Sequence, residues 1–544
     1  MYNVHFILNL TYTDFIDYIS EILKNPKIKL KISHIISETL YSSIVSKKHF
    51  IYFIIIISFL PLFLLTNKII QYFTFLRNEI FKLIDDIKIT FKTDSKYIYL
   101  LWATCLLYSS YYAITYPITL DEVWNFNYFV RNNFFITQFI FNTGIIATHT
   151  ASLLYNIGFS PDISIRLPVL LFHFFTIPIY YVKLKEHFKS AYYPLFITFL
   201  LTSPAIVLYT VWGRQYIYLI FCIFLLFILV YKILKHKLDR RYTIILFTIS
   251  VFGLYSSILF AIPLFIALIF VFIENYYPKT SLILIVKYAI SIAFIVIIMY
   301  GIPFCIEFIK LENKNNLPDY YTFLSFLTYH YRYIGAPING NIYFLTVLLL
   351  LIFNFIFIYK NNMKNDTKWH IFLLINFLFP LILFPFKITL AERLSFNTLI
   401  AACLIIFHFF EFYLSKFFKE LNYCIFLFFT LIFLFRFELF FEKKFGVRYA
   451  KAAKDIYTYC LENNIDTIFN NHTMIDANLI YYFYNKNKNV VIQNNIPESI
   501  YYKGFSIDSI QPKCISIIKK KKINIPNNYK LKYENEVLLM YVRN

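Results

Sequence analysis

Tyr116-Pro117-Ile118-Thr119-Leu120-Asp121-Glu122-Val123-Trp124-Asn125 is the stretch from which the rest of the chain can be read. It follows the apolar run Tyr97 to Thr115, and a run of about 20 apolar residues is what crosses a bilayer as a helix. Two adjacent carboxylates therefore stand just beyond a membrane boundary, where an enzyme can meet a lipid-borne substrate and a water-soluble one. Two readings fit them. Thr119-Leu120-Asp121-Glu122 has the spacing of a capping box, in which Glu122 reaches back to the backbone of Thr119. Alternatively, the carboxylates serve a reaction. Both hold together if Glu122 caps and Asp121 faces a cavity.

Composition supports the membrane reading. Of 544 residues, 59% are hydrophobic and 22% aromatic, with mean hydropathy +0.59. A soluble fold cannot hide that much apolar surface, so the sequence predicts a polytopic membrane protein. The chain has 9 glycines and neither a Walker A pattern nor a dinucleotide fingerprint, which argues against ATP-driven transport and a nicotinamide cofactor. The net charge of +21 is spread over membrane faces and not gathered in a basic domain, so no nucleic-acid partner is expected. Cys105, Cys222, Cys305, Cys403 and Cys424 lie in apolar runs, with no metal or disulfide spacing. Cys460 and Cys514 share a polar tail and could pair. No cleavable signal peptide is read, because the first apolar run comes after a long polar segment.

Residues 1–49 are polar. An extra amino-terminal helix (Phe50 to Leu65) and a charged loop follow, making a segment 50–96. The predicted membrane domain covers 97–439. Its spans are Tyr97 to Thr115, Pro161 to Val182, Ala191 to Thr210, Ile217 to Leu234, Ser281 to Pro303, Ile342 to Tyr359, Trp369 to Phe386, Leu394 to Phe412 and Tyr423 to Phe437. Tyr242 to Ile273 is too long for one helix and predicts a pair turning near Tyr255-Ser256-Ser257. With the amino-terminal helix the count is about 12 transmembrane helices. Leu120 to Ser160 reads as a large loop with surface-lying helices. Lys183, Lys185 and Lys189, then Lys232, Lys235, Lys237, Arg240 and Arg241, then Lys360, Lys364 and Lys368 mark one side as cytoplasmic. Asp121, Arg214, Arg332 and Arg393 then fall on the extracytoplasmic side. Residues 440–544 read as a small extracytoplasmic α/β domain, with helices at Tyr449–Asn463 and Met474–Asn485 and strands at Thr467–Phe469 and Val490–Ile492. Its Lys519-Lys520-Lys521-Lys522 run is a solvated face, and Asn471-His472-Thr473 fits a glycosylation sequon.

Each polar residue near the outer rim has a structural and a functional reading. Arg214, in Trp212-Gly213-Arg214-Gln215-Tyr216, either snorkels to water or grips a phosphate bidentately. Arg166, in Ser164-Ile165-Arg166-Leu167-Pro168, sits just inside a span, where an arginine is costly and paired. Arg393 either pairs with its neighbour Glu392 or faces a substrate. His149, in Ala147-Thr148-His149-Thr150, either makes a plain hydrogen bond or contacts substrate or metal. His330 and Arg332 in the second loop are weaker candidates.

The order of these pieces resembles the GT-C class of membrane glycosyltransferases, and within it the branch of protein O-mannosyltransferases and the lipid A aminoarabinose transferase. The resemblance runs over roughly 97 to 440. It consists of a span followed by Leu120-Asp121-Glu122, a loop with His149, Ile165-Arg166-Leu167-Pro168, Thr202-Ser203-Pro204-Ala205, Arg214-Gln215-Tyr216, Glu392-Arg393, and a soluble carboxy-terminal domain. It departs at Thr150-Ala151-Ser152-Leu153, where the family often has a proline-rich stretch, and at Leu394, where an aromatic commonly follows the arginine.

The resemblance implies a multi-pass enzyme of the plasma (inner) membrane, if bacterial. It would transfer a sugar from a polyprenyl-phosphate donor to a lipid, glycan or protein acceptor for cell-envelope glycosylation. Membrane lipids surround it; no cofactor and no metal are implied. A phosphate leaving group needs no general acid, so one carboxylate suffices to take the acceptor proton. Asp121 is the expected base, with Glu122 beside it. Arg214 and then Arg393 would bind the donor phosphate. His149, Arg166 and Tyr216 complete the substrate-site candidates, and attack opposite the phosphate inverts the anomeric centre. Two other functions fit the composition. A lipid-linked glycan flippase would need polar residues at mid-depth of several spans, whereas here they gather at the outer rim. An outer-face glycan polymerase or ligase would place its histidine and arginines in a large late loop, where only His330 and Arg332 stand.

Overall fold

In a bilayer each spanning segment must satisfy its backbone polar groups internally, so long apolar runs become helices. The computed structural model describes residues 66–93, 95–131, 144–187, 204–236, 238–274, 340–383, 396–414 and 447–465, with a few single residues and the short strands and turns given below. Its helices are α1 Thr66–Thr93, α2 Ser95–Thr115, α3 Leu120–Asn125, α4 Ile145–Ile157, α5 Pro161–His187, α6 Pro204–Val211 and α7 Tyr216–His236. They continue with α8 Arg240–Ser256, α9 Ala261–Glu274, α10 Gly340–Lys360, α11 Lys364–Leu383, α12 Phe396–Phe409 and α13 Val447–Glu462. The described residues are mostly helical.

Among the described residues, four helical segments are long and apolar enough to cross a membrane: Pro161–His187, Tyr216–His236, Gly340–Lys360 and Phe396–Tyr413. They mark a membrane protein. Helices α2, α8, α9 and α11 form where further spans are expected. The runs Phe50 to Leu65 and Tyr423 to Phe437, most of Ala191 to Thr210 and nearly all of Ser281 to Pro303 lie outside the described residues.

The break expected near Tyr255-Ser256-Ser257 is present. Helix α8 starts on Asp239, whose side chain accepts the Tyr242 N–H (2.7 Å), and ends at Ser256. Ser257 is extended, and its hydroxyl accepts the Leu259 N–H at the head of a short 3-10 turn, Ile258–Phe260, that leads into α9. Residues 67–96, read as a charged loop, are corrected: nearly all of that segment is helix α1 (28 residues). Its apolar residues recur at helical spacing between the charges. The short helices expected between Leu120 and Ser160 form within 120–131 and 144–160, and residues 132–143 lie outside the described residues. Helix α3 passes into a π-helical turn, Phe126–Val130, and α4 ends on Gly158, whose φ of +105° suits a residue without Cβ.

Helix α7 is the centre of the bundle. It packs against α5, α6, α8, α9, α11 and α12, and 83% of its span is buried inside the protein. It is apolar all round, as a helix enclosed on every side must be. Helix α10 contrasts, with only 33% of its span buried and Ile342, Leu345, Leu349 and Ile356 turned outward. At one end of the bundle Lys232 pairs with Glu186 (2.5 Å), Lys235 with Asp366 (3.8 Å) and Lys368 with Glu274 (2.5 Å). The lysine-rich ends of α5 and α7, the end of α9 and the start of α11 therefore meet on a single side.

By contact the chain divides into two compact units. One comprises Ile87–Glu122 and Thr137–Val447, the helical bundle. The other comprises Met1–Asp86, Val123–Ile136 and Arg448–Asn544. In the second, α13 buries Ala452, Ala453, Ile456 and Cys460 in a small core with Leu479 and Met540. Its sheet has the order β2-β1-β3-β5-β4. The strands are β1 Thr467–Asn470, β2 Val491–Gln493, β3 Cys514–Ile518, β4 Tyr529–Glu534 and β5 Leu538–Arg543. Strand β1 pairs parallel with β2 and β3, while β5 runs antiparallel to β3 and β4. Helix α13 and strands β1 and β2 form where the first helix and two strands were expected. Cys460, which the sequence offered for pairing, is a buried free thiol. In the same unit Phe126, from the π-helical turn, meets the Tyr481 ring edge-on at 5.4 Å.

Candidate functional site

Helix α2 stops at Thr115 because Pro117 cannot continue it. The last carbonyls of a helix lack intrahelical partners. Arg166, in the second turn of α5, fills that need. Its Nη1 donates to Ala113 O (2.6 Å) and Tyr116 O (2.8 Å), and its Nη2 donates to Pro117 O (3.2 Å). Its Nε and Nη2 also donate to Glu122 Oε1 (2.8 Å) and Oε2 (2.9 Å). A guanidinium has five N–H donors, and all five are used. Arg166 is 5% exposed.

Glu122 is fully buried. Beyond Arg166, its Oε2 accepts the Thr119 N–H (2.9 Å) and hydroxyl (3.0 Å), and its Oε1 accepts the Gly213 N–H (3.0 Å). Burial alone would push its pKa up. The Arg166 charge and the hydrogen bonds from Arg166, Gly213 and Thr119 outweigh that and hold the carboxyl below its usual range. The capping expectation is half met: Glu122 reaches back to Thr119 as drawn from the sequence, but it also anchors Arg166 and the 212–214 turn.

That turn comes close because Gly213 has no side chain. A Cβ there would collide with the Ile165 side chain and lie 2.6 Å from the Ile165 carbonyl oxygen. The approach puts Arg214 beside α3. Its Nη1 donates to the backbone carbonyl of Asp121 (2.9 Å), across 93 residues of sequence, and its Nε donates to Gln215 Oε1 (3.2 Å). Its charge lies over the Tyr216 ring at 5.9 Å. Arg214 and Asp121 are each half-buried. Among the described residues no carboxylate pairs with Arg214, and nothing bonds its Nη2.

The structure thus brings together four of the sequence candidates: Asp121, Glu122, Arg166 and Arg214. Glu122, a candidate catalytic group, and Arg166, a candidate substrate contact, have their polar atoms taken up by each other, by Thr119 and by backbone, and form a buried clasp. Tyr216, another substrate candidate, is 2% exposed and packs edge-on against Tyr209 (4.7 Å), with Phe396 at 5.6 Å. It supports Arg214 from within the core. His149 takes its hydrogen-bonded reading: Nδ1 shares a 2.5 Å bond with the Tyr255 hydroxyl, joining α4 to the end of α8. Arg393, Glu392, His330 and Arg332 lie outside the described residues.

Gln215, Gly213 and Tyr255 hold these contacts in place, and residue-type reasoning gave them no role of their own. The cue for Gly213 was there: in a chain with only 9 glycines, one between a tryptophan and an arginine marks a backbone approach. No cue existed for Tyr255, one of 48 tyrosines. Neither a protein-family model nor a curated protein matches the sequence.

Proposed function

We propose that this chain transfers a sugar from a polyprenyl-phosphate donor to an acceptor hydroxyl at the extracytoplasmic face, with inversion, on a scaffold of about 12 spans like that of GT-C enzymes. The observation that carries the reading is the seating of Arg214. Its Nη1 is held by the Asp121 carbonyl and its Nε by Gln215. No carboxylate among the described residues neutralises it. An arginine fixed in this way presents positive charge to an anion without reorganising, as a leaving phosphate requires. Asp121, on the same rim and half-buried, is the base that accepts the acceptor proton. Glu122 is set aside for this role because its oxygens are taken by Arg166, Thr119 and Gly213. The sugar–phosphate bond breaks as the acceptor oxygen attacks from the opposite face. The proton goes to Asp121, and the lipid phosphate leaves as an anion against Arg214. The carboxy-terminal α/β unit sits on the extracytoplasmic side in this scheme.

Purified protein incubated with a panel of polyprenyl-phosphate sugars, with products read by mass spectrometry, tests the reading. Transfer by the wild type is expected. Arg214→Lys keeps the charge but loses the fork, and is expected to slow transfer about 10²-fold or more. Flipping of labelled lipid-linked glycan in proteoliposomes, with no transfer across the panel, would replace the enzyme by a transporter.

A further inference from the structure

Gln215 is a polar side chain buried beside Arg214, only 2% exposed, and two helix starts fix its place. Its carbonyl accepts the Leu219 N–H (3.1 Å) at the head of α7, so that helix holds its backbone. Against its side chain lies Gly144, from which α4 starts. The Gly144 carbonyl accepts the N–H (3.2 Å) and the hydroxyl (3.0 Å) of Thr148. A Cβ on Gly144 would stand 2.3 Å from Gln215 Oε1 and 2.6 Å from its Cδ. The φ of Gly144 is −132°, outside the left-handed region that favours glycine. The glycine therefore supplies room and not a backbone conformation: it lets the start of α4 lie against the Gln215 amide. That same Oε1 accepts the Arg214 Nε–H (3.2 Å).

We infer that Gln215 is a positioning residue for the departure of the donor phosphate: a neutral acceptor that aims the Arg214 fork without cancelling its charge, in room that Gly144 provides. The inference rests on the reading of Arg214 as the phosphate ligand. A guanidinium is planar, so fixing Nε and Nη1 fixes the direction in which Nη2 points. The Asp121 carbonyl takes Nη1 (2.9 Å) and the Gln215 amide takes Nε, and both oxygens are uncharged. A glutamate in place of the glutamine would have the same reach but set an opposite charge against the cation, and an incoming phosphate would compete with it. A buried glutamine also fills the space beside α4. That use asks only for volume, which methionine supplies equally, and not for an oxygen.

The test uses the full chain in detergent, with transfer from the same panel of polyprenyl-phosphate sugars and, separately, binding of a polyprenyl monophosphate by isothermal titration. Gln215→Met keeps length and volume and removes the acceptor oxygen. Gly144→Ala keeps Gln215 and drives its amide off Arg214. Each should lower kcat about 10- to 10²-fold, with donor KM within about twofold of wild type, because the guanidinium is mis-aimed and not lost. In an Arg214→Lys background the same two changes should cost less than about twofold more, since lysine has no fork to aim. Gln215→Glu should weaken monophosphate binding about tenfold or more. Wild-type kcat in either Gln215→Met or Gly144→Ala overturns the inference, and so do equal falls in the Arg214 and Arg214→Lys backgrounds. Monophosphate binding undiminished by Gln215→Glu overturns it too, because neutrality then has no use. Failure of both Gln215→Met and Gly144→Ala to fold makes the pair structural and has the same result. A wild type that neither transfers nor binds monophosphate is a different outcome: it removes the reading of Arg214 as phosphate ligand, and this inference with it.

Discussion

Asp121 and Glu122 are neighbours on α3, yet one is half-buried and the other has no exposed surface. Removing Glu122 leaves the Arg166 guanidinium buried without its counter-charge, the situation that costs about 3–5 kcal/mol. Glu122→Gln should therefore lower the thermal midpoint in detergent well beyond what a surface change would do, and unaltered unfolding would show that the clasp is dispensable. The same residue sets a pH dependence. Its folded pKa lies below the unfolded one, so its stabilisation is complete above about pH 4.3 and drains away as pH falls through the lowered folded value. Wild-type unfolding temperatures should fall across that acid window, and Glu122→Gln should lack this component of the fall. Part of this was legible. Thr119-x-x-Glu122 announced a cap because side-chain types at fixed spacing define one. The role of Arg166 was not, because three of its five bonds go to the carbonyls of Ala113, Tyr116 and Pro117, and a carbonyl has no residue-type signature.

Elements were legible where an apolar run was unbroken. Helices α5, α7 and α10 follow from length and hydropathy, and the Ser256-Ser257 break from two polar residues in a long apolar stretch. Helix α1 was hidden because eight charged residues interrupt its apolar ones, so no apolar run is long enough to announce a helix. The joints between elements were the least legible. At Gly213 the turn before α7 meets α5 with no room for a methyl group. Gly213→Ala should displace Arg214 and abolish transfer while leaving a helical protein, measured by activity alongside circular dichroism. Full activity would mean the turn has slack that its geometry denies. Between α4 and α8 the His149–Tyr255 bond should show in a double-mutant cycle with His149→Phe and Tyr255→Phe. The expected coupling is about 0.5–1.5 kcal/mol, and additive losses would show that the contact carries no energy.

On the scale of the molecule, the ion pairs Lys232–Glu186, Lys235–Asp366 and Lys368–Glu274 gather the basic loops at one end. From the positive-inside rule we propose that this end is cytoplasmic. An epitope inserted in the Asn361-Asn362-Met363 turn should be reached by antibody only in inverted membrane vesicles, and one at the carboxy terminus only in right-side-out vesicles. The opposite pattern would reverse the topology and with it the side of the reaction. The central claim is that Asp121 does chemistry and Glu122 holds the site in shape. The direct test is the kcat of Asp121→Asn in sugar transfer, with the thermal midpoint measured on the same preparation. The account predicts a fall of about 10²–10⁴-fold with the midpoint unchanged. An equal kcat for variant and wild type would contradict it and take Asp121 out of the mechanism.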